Sequence, residues 1–315
     1  MSCYQPEAEQ AFKDAEKSRL PEAQLRYLRG VHLVTTAQPA LAISDLEAVR
    51  RLEPDNVAAL GLLATARILT SGLRAYEPLI PELERVRPVS PDDKLFLGQA
   101  LAMLDPKRGL PLLDEAIHAE GSPMARIIRA SVRSEQAVQS KDLELLRGAL
   151  DDIAAAKAWR PDSISVLIAA CGTHRVAAAL YRSAGQAAEA ETQARLAENA
   201  SEQLESFHPN LQALLARLDH LILTGDLEGA IERARRWSSE IPGWNFALAL
   251  VYPLMRHGEF EEAFELTRPP QTNGLAACHP GGHEVPSTAP RQPASEPGSR
   301  RTLPTIWMTC SWRQP

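Results

Sequence analysis

Apolar residues recur at helical spacing along most of this chain, from about residue 22 to residue 268. One segment places Ala42, Leu46 and Val49 on a single face of a helix. Residues 1–21 are more polar, and they predict a helical lead-in. We therefore predict an all-α chain in which short helices alternate over residues 22–268.

Two prolines mark a period in this pattern. Pro54 and Pro88 stand 34 residues apart, and each is expected to end a helix because the residue before a proline is driven out of the α conformation. In units of 34 residues, Gly30, Ala42 and Pro54 take positions 8, 20 and 32. Gly98 takes position 8 of the third unit. The period predicts helix pairs that stack on one another.

A second set of positions repeats later in the chain, where a glycine is followed five residues on by an alanine. The pairs are Gly185 with Ala190, Gly225 with Ala230, and Gly258 with Ala263. Glycine there supplies a positive φ at the end of a helix, and alanine lets two helices approach closely. Pro242 follows Ala230 by the same 12 residues that separate Ala42 from Pro54. Over residues 124–207 the period drifts, which predicts that one helix pair is longer than standard.

The second unit departs from the pattern. We predict a helix over residues 57–70, capped by Asp55 or Asn56, and a second helix over residues 73–86. Tyr76 replaces the small residue at position 20 of this unit. Two prolines inside the second helix, Pro78 and Pro81, should kink or shorten it.

A 34-residue period with small residues at positions 8 and 20 and proline at position 32 resembles the tetratricopeptide repeat. The resemblance implies a right-handed α-solenoid of about six to seven antiparallel helix pairs. It also implies a non-enzymatic scaffold that binds a peptide or protein partner in a concave groove. The groove residues that it implies are Tyr27, Val31, Val34, Thr65, Ile68, Leu95 and Gln99.

None of these groove positions is Lys, Arg or Asn, so a clamp for a peptide carboxylate is not expected. An apolar groove suits an amphipathic helix or an extended apolar peptide. The alternative is that these residues pack against a neighbouring helix or another subunit.

A second functional interpretation also follows from the resemblance. Similar helical arrays form the C-terminal region of bacterial serine/threonine protein kinases, and this Ala-, Arg- and Leu-rich composition resembles that setting. The chain would then be a detached or truncated regulatory region of such a kinase. Its 315 residues contain no HRD, DFG or β3-lysine motif, so the chain itself is not expected to be a kinase or another enzyme.

Charge and composition narrow the expected partners. The formal net charge is −6, which argues against a nucleic-acid partner. No run of 18 uninterrupted apolar residues predicts a membrane span, and no secretory signal is visible. The four cysteines are scattered, as in a cytoplasmic protein with reduced thiols. No cofactor and no small-molecule substrate are expected.

Three groups of residues are candidates for metal binding, catalysis or binding of an anionic partner. Cys171 and His174 could share a helix face, but no second ligand pair lies near them, so we predict a packed helix with a buried thiol. Asp219 and His220 are adjacent on a helix, and we interpret them as polar surface residues. Residues 233–240, RARRWSSE, are basic, and we expect ion pairs with glutamates one helical turn away.

The chain changes character at residues 269–315. Nine of these 47 residues are proline, and helical periodicity is lost, so we predict a disordered segment. The last repeat stops in mid-helix, and the hypothesis is that this segment is a reading-frame artefact or a truncated gene product. Cys278, His279 and His283 lie close together in it, but with no fourth ligand nearby we expect no metal site.

Overall fold

The computed structural model describes residues 6–17, 20–36, 38–207, 210–241, 251, 254–256 and 258–267. Every regular element in these ranges is helical, and the chain is an all-α solenoid of tetratricopeptide-like helix pairs. It divides into two compact units, with the division between Asp226 and Leu227.

The first unit holds most of the described helices. They are α1 (Pro6–Lys17), α2 (Glu22–Thr35), α3 (Pro39–Leu52), α4 (Val57–Ser71), α5 (Ile80–Arg85), α6 (Pro91–Leu104), α7 (Pro106–Glu120), α8 (Pro123–Ser140), α9 (Leu143–Trp159), α10 (Ile164–Ser183), α11 (Ala187–Glu205) and α12 (Leu211–Thr224). The second unit contributes α13 (Leu227–Glu240) and α14 (Phe260–Thr267). In the first unit α2 pairs with α3, α6 with α7, α8 with α9 and α10 with α11, and short turns make the paired helices antiparallel.

Polar side chains start the first helix of several pairs. The prediction that Asn56 caps α4 is confirmed, because its side chain accepts a hydrogen bond of 2.9 Å from the Ala59 amide. Ser90 and Asp93 form a reciprocal capping box at the start of α6. Asn210 caps α12 through the Ala213 amide. Each cap satisfies backbone donors that a helix leaves unpaired at its first turn.

The turn glycines of the later pattern all have left-handed backbone. The φ angles of Gly185, Gly225 and Gly258 are 76°, 91° and 89°. Five residues after each of them, Ala190, Ala230 and Ala263 are buried. Pro242 and the predicted tail of residues 269–315 lie outside the described residues.

Position 8 of the early units lies where two helices of a pair approach. A Cβ atom at Gly30 would come within 2.7 Å of a Leu46 methyl carbon. A Cβ atom at Gly98 would lie 3.2 Å from the carbonyl oxygen of Gly109 on α7. Ala42 on α3 is fully buried. Small side chains therefore set the spacing within these pairs.

The second pair confirms that Pro78 and Pro81 shorten the helix predicted over residues 73–86, and the helix is also broken into pieces. Two 3-10 turns, Leu73–Ala75 and Glu77–Leu79, lead into the six-residue α5. Pro78 and Pro81 lie in these pieces, and prolines lack the amide that a continuous helix needs. Because α5 is so short, α4 packs directly on α6. The buried ring of Tyr76 fills space beside them.

Two neighbouring pairs are long, where the sequence predicted one. Helices α8 to α11 have 18, 17, 20 and 19 residues. By length and composition, α10 is apolar enough to cross a membrane, since an 18-residue window reaches a mean hydropathy of 1.4. In the structure 61% of that window is buried, as in the core helix of a folded domain.

Candidate binding pocket and buried polar network

Most of the groove residues predicted from the sequence lie inside the fold. Val34, Thr65, Ile68, Leu95 and Gln99 are between 0% and 6% exposed. Val34 and Leu95 belong to an apolar core that also includes residues of α3, α4, α7 and α8. The other two groove residues are Tyr27 and Val31, which pack against this core and stay partly exposed. Only these two therefore lie where a partner can reach them without opening the fold.

Tyr27 lines a pocket of about 510 Å³ where the starts of α4 and α6 meet α2. Its other lining residues are Glu53, Pro54, Asp55, Asn56, Val57, Ala58, Ser90, Asp92 and Asp93. Four of these residues are carboxylic acids, and no described residue that lines the pocket is Lys or Arg. The pocket is therefore strongly acidic.

The Tyr27 hydroxyl is buried and has no hydrogen-bond partner among the described residues. Burial raises the pKa of this phenol, and the nearby carboxylates of Asp92 and Asp93 raise it further. The hydroxyl is therefore neutral and keeps its proton at any physiological pH.

The four carboxylates differ in what they already bind. Asp93 accepts from the amides of Val89, Ser90 and Ala58 at 2.9 to 3.1 Å, so it joins the starts of α4 and α6. Glu53 accepts from the Asn56 side chain at 2.9 Å. Asp93 is thus needed for the fold, whereas exposed carboxylates such as Asp92 are available to a ligand.

Apolar side chains stand beside the acidic pocket in the chain. Leu52 directly precedes Glu53 and is 52% exposed. Val89 directly precedes Ser90 and is 83% exposed. Two such side chains next to an acidic pocket suit a partner that carries apolar residues close to a positive charge.

A separate cluster of polar groups joins α10, α11 and α12. Cys171, Arg217 and His220 are buried in it, whereas the Glu198 side chain is 40% exposed. The Cys171 sulfur lies 3.1 Å from Nδ1 of His220, and Nε2 of the same ring lies 2.7 Å from Oε2 of Glu198. Arg217 donates to Glu198 at 2.7 Å and to Ser201 at 3.0 Å. Each group forms a hydrogen bond with another member, so the network links three helices.

This network corrects one interpretation and supports another. His220 was interpreted from the sequence as a surface residue, and that is wrong, because it is only 2% exposed. His220 follows Ala213 and Ala216 by seven and four residues, and this helical spacing is the signal that could have placed it on a buried face. Cys171 is buried, as predicted, and burial raises the pKa of its thiol to about 11. The side chain therefore remains a protonated thiol.

The other candidate metal ligand, His174, makes an ordinary hydrogen bond. Nδ1 of His174 lies 2.7 Å from the Gln193 side-chain oxygen. In the part of the chain that the structure describes, no group of three or more His, Cys, Asp and Glu residues could hold a metal ion. The cluster of Cys278, His279 and His283 falls outside that part.

The basic run at residues 233–240 lies in the second unit, on α13. Arg236 forms the expected ion pair one turn away with Glu240, at 4.0 Å. Arg235 instead pairs with Glu259 and Glu262, which belong to the segment around α14. Trp237 is buried, and the Arg236 guanidinium lies 5.9 Å from its ring centre. These contacts are those of a solvated helix face.

Comparison with known proteins gives similarity at the level of fold. No family model matches the chain, and no curated protein matches it. A human IFIT1 dimer with PPP-AAAA is 15% identical, covers 78% of this chain and 62% of its own, and has a TM-score of 0.45. PilW, a type IV pilus biogenesis factor, is 14% identical over 74% of this chain and 98% of its own, with a TM-score of 0.42. A monomeric IFIT1 mutant with Gppp-AAAA is 16% identical. It covers 84% of this chain and 67% of its own, with a TM-score of 0.47.

This chain therefore spans less than two thirds of the first of these proteins. The identities of 14–16% and the TM-scores below 0.5 do not bear on the partner of this chain.

Proposed function

We propose that this chain is a non-enzymatic scaffold for a protein or peptide partner, and that the acidic pocket beside Tyr27 takes a basic side chain of that partner. The observation that carries the proposal is the lining of the pocket. Four carboxylates line about 510 Å³, and no described lining residue is basic.

The chemistry of the pocket favours a guanidinium or an ammonium group. Carboxylates accept charge-assisted hydrogen bonds from such groups, and arginine can bind one carboxylate with two parallel bonds. Exposed Leu52 and Val89 then offer apolar contact to the residues on either side of the basic one.

A nucleic acid would meet the wrong charge at this surface. Phosphate groups are held by lysine and arginine, and here they would face the carboxylates of Glu53, Asp55 and Asp92. We therefore propose no nucleic-acid ligand for this chain. RNA binding is the competing outcome of the binding experiment.

The proposal is tested by fluorescence anisotropy with two pools of labelled heptapeptides. One pool has arginine fixed at the centre and apolar residues around it, and the matched pool has glutamate at the centre. We expect the arginine pool to bind more tightly. We also expect Asp92→Asn to weaken that binding by about tenfold or more, because one charge-assisted hydrogen bond is lost. Tyr27→Phe should weaken it less, since it removes only a neutral hydroxyl.

The matched control is Asp151→Asn, which removes an exposed carboxylate from α9. It changes the net charge of the chain as Asp92→Asn does, and it should leave the binding of the arginine pool unchanged. Equal weakening by both variants would reduce the effect to general attraction between opposite charges. A labelled oligoadenylate that binds more tightly than the arginine pool would overturn the proposal.

The location and genetic setting of the scaffold are further proposals. A cytoplasmic location agrees with the scattered cysteines and with the buried, protonated thiol of Cys171. The role as a regulatory region of a bacterial serine/threonine protein kinase rests on the resemblance of the repeats. A kinase domain encoded directly upstream of this chain would support it.

A further inference from the structure

Helix α12 closes the first unit onto its beginning. The side-chain amide of Gln212, in the first turn of α12, donates 3.2 Å to the carbonyl oxygen of Thr35 at the end of α2. These residues are 177 positions apart in the chain. Since His220 lies on α12, whatever holds its ring also holds this closure.

The ring of His220 is surrounded by ionisable groups from three helices. Cys171 and Arg175 face it from α10, Glu198 faces it from α11, and Arg217 and Asp219 are its neighbours on α12. Arg175 pairs with Asp219 at 3.7 Å, so that carboxylate is already engaged. Glu198 is engaged as well, because Arg217 donates to its other oxygen.

These contacts fix where the protons are in the neutral ring. The Glu198 carboxylate can only accept, so Nε2 of His220 carries the hydrogen. Nδ1 is then an acceptor, and the protonated thiol of Cys171 donates to it. Both ring nitrogens are satisfied in this one tautomer.

A second proton on His220 disrupts that arrangement. A hydrogen on Nδ1 would point at a thiol whose own proton already occupies the contact. The new charge would lie in the interior, close to two arginines. Burial lowers the pKa of His220, Arg175 and Arg217 act in the same direction, and Glu198 opposes them. The closed form of the unit therefore resists the proton.

We infer that protonation of His220 releases α12 from α10 and α11 and breaks the closure between Gln212 and Thr35, so that the first unit carries a pH-sensitive latch. The latch is independent of the acidic pocket and of any partner bound there. It opens as the pH falls, since the open form takes up a proton that the closed form excludes.

The size of the effect follows from one proton. In the open form the imidazole titrates near its ordinary pKa of about 6.5. Above that pH neither form binds the proton, and opening is independent of pH. Below it, the opening constant rises by up to about tenfold for each pH unit, until the closed form is protonated too.

The test is hydrogen exchange of the full chain, followed by mass spectrometry of peptides from residues 211–224 and corrected for the intrinsic pH dependence of exchange. Between pH 7.5 and 5.5 we expect protection of α12 to fall by up to about tenfold. Peptides from α4, which is distant in the chain from the network, should lose less. In His220→Gln the amide can still donate to Glu198 but gains no charge, so the pH-dependent loss should disappear.

Two further variants keep the inference decidable. His174→Gln removes another half-buried histidine, on α10, and should leave the response of α12 unchanged. Cys171→Ala removes the donor to Nδ1 and with it the proton that opposes a second hydrogen there. Protection of α12 at pH 7.5 should therefore fall, and the further loss on acidification should become smaller. This variant decides the matter if His220→Gln does not fold. The latch is refuted if α12 still loses protection on acidification in His220→Gln, or if Cys171→Ala leaves the size of that loss unchanged.

Discussion

Buried carboxylates on the second helix of a pair are the residues on which several arginines converge. Asp45 on α3 accepts from Arg26 and Arg29 of α2. Asp152 on α9 accepts from Arg129 at 2.8 Å and from Arg133 at 3.0 Å, both on α8. A carboxylate with several guanidinium partners has its lone pairs satisfied, whereas the arginines depend on it to balance their charge.

Asp152→Asn tests that dependence, because asparagine keeps the shape of the side chain and removes its charge. Two or more partly buried arginines would then lack their counter-charge. We expect the free energy of unfolding to fall by about 3 to 5 kcal/mol, measured by urea denaturation. Asp151→Asn, at the exposed neighbouring position, should change it by less than about 0.5 kcal/mol. Asp114 also accepts from Arg129, at 2.6 Å. Similar values for the two variants would mean that Asp114 and solvent are enough to satisfy the arginines.

At the scale of helices, glycine sets how closely two of them can pack. Helix α4 lies against α6 where Gly61 meets the backbone of Phe96. A Cβ atom on Gly61 would lie 2.5 Å from the carbonyl carbon and oxygen of Phe96. Backbone atoms inside a helix cannot move aside as the end of a side chain can. The direct contact between these two helices therefore depends on the missing side chain.

Gly61→Ala should consequently destabilise the fold, although alanine favours helix by about 1 kcal/mol over glycine. We expect a net loss of about 1 to 3 kcal/mol in the free energy of unfolding, because the helices must separate. Gly148→Ala on α9 is the matched control. Its Cβ atom would meet only the end of the Arg133 side chain, at 3.2 Å. That variant should be neutral or stabilising, and a stabilising Gly61→Ala would contradict the close contact.

The helices themselves were largely predictable, because local signals determine where they begin and end. Asn56 and Ser90 mark helix starts, and Pro39 supports a start at α3. The second pair was not predictable in detail. Pro78 and Pro81 show that a helix is interrupted, but how α4 and α6 fill the gap depends on their mutual packing. No local pattern contains that information.

At the scale of the whole molecule, the candidate site was less accessible from sequence than the fold. Tyr27 was among the predicted groove residues. The carboxylates of Glu53 and Asp92 were not, because they meet only when the ends of three helices come together. The partners of His220 were not predictable for the same reason, since Cys171 and Glu198 lie 49 and 22 positions away. The spacing of the repeats predicts that helix pairs stack. Which residues of different repeats then meet is determined only by how the helices pack.

The stability of the whole chain should also fall on mild acidification, through more than one histidine. Burial lowers the pKa values of His32, His174 and His220. Near the ordinary pKa of about 6.5, the unfolded chain binds protons that the folded chain does not, so the free energy of unfolding decreases as the pH falls. Burial raises the pKa values of Glu135 and Asp219, and these two groups contribute with the opposite sign.

Urea denaturation at pH 7.5 and pH 6.0 compares stability across the ordinary pKa of histidine, and the histidine variants identify its share. Each histidine contributes a slope of at most about 1.4 kcal/mol per pH unit, reached only below its unfolded pKa, so the expected loss over this interval is about 1 kcal/mol. His174→Gln should reduce that loss, because one of the excluded protons is removed. His118→Gln, at an exposed position on α7, should leave it unchanged. If stability rises on acidification, or if the two variants respond alike, the buried imidazoles are not what excludes the protons.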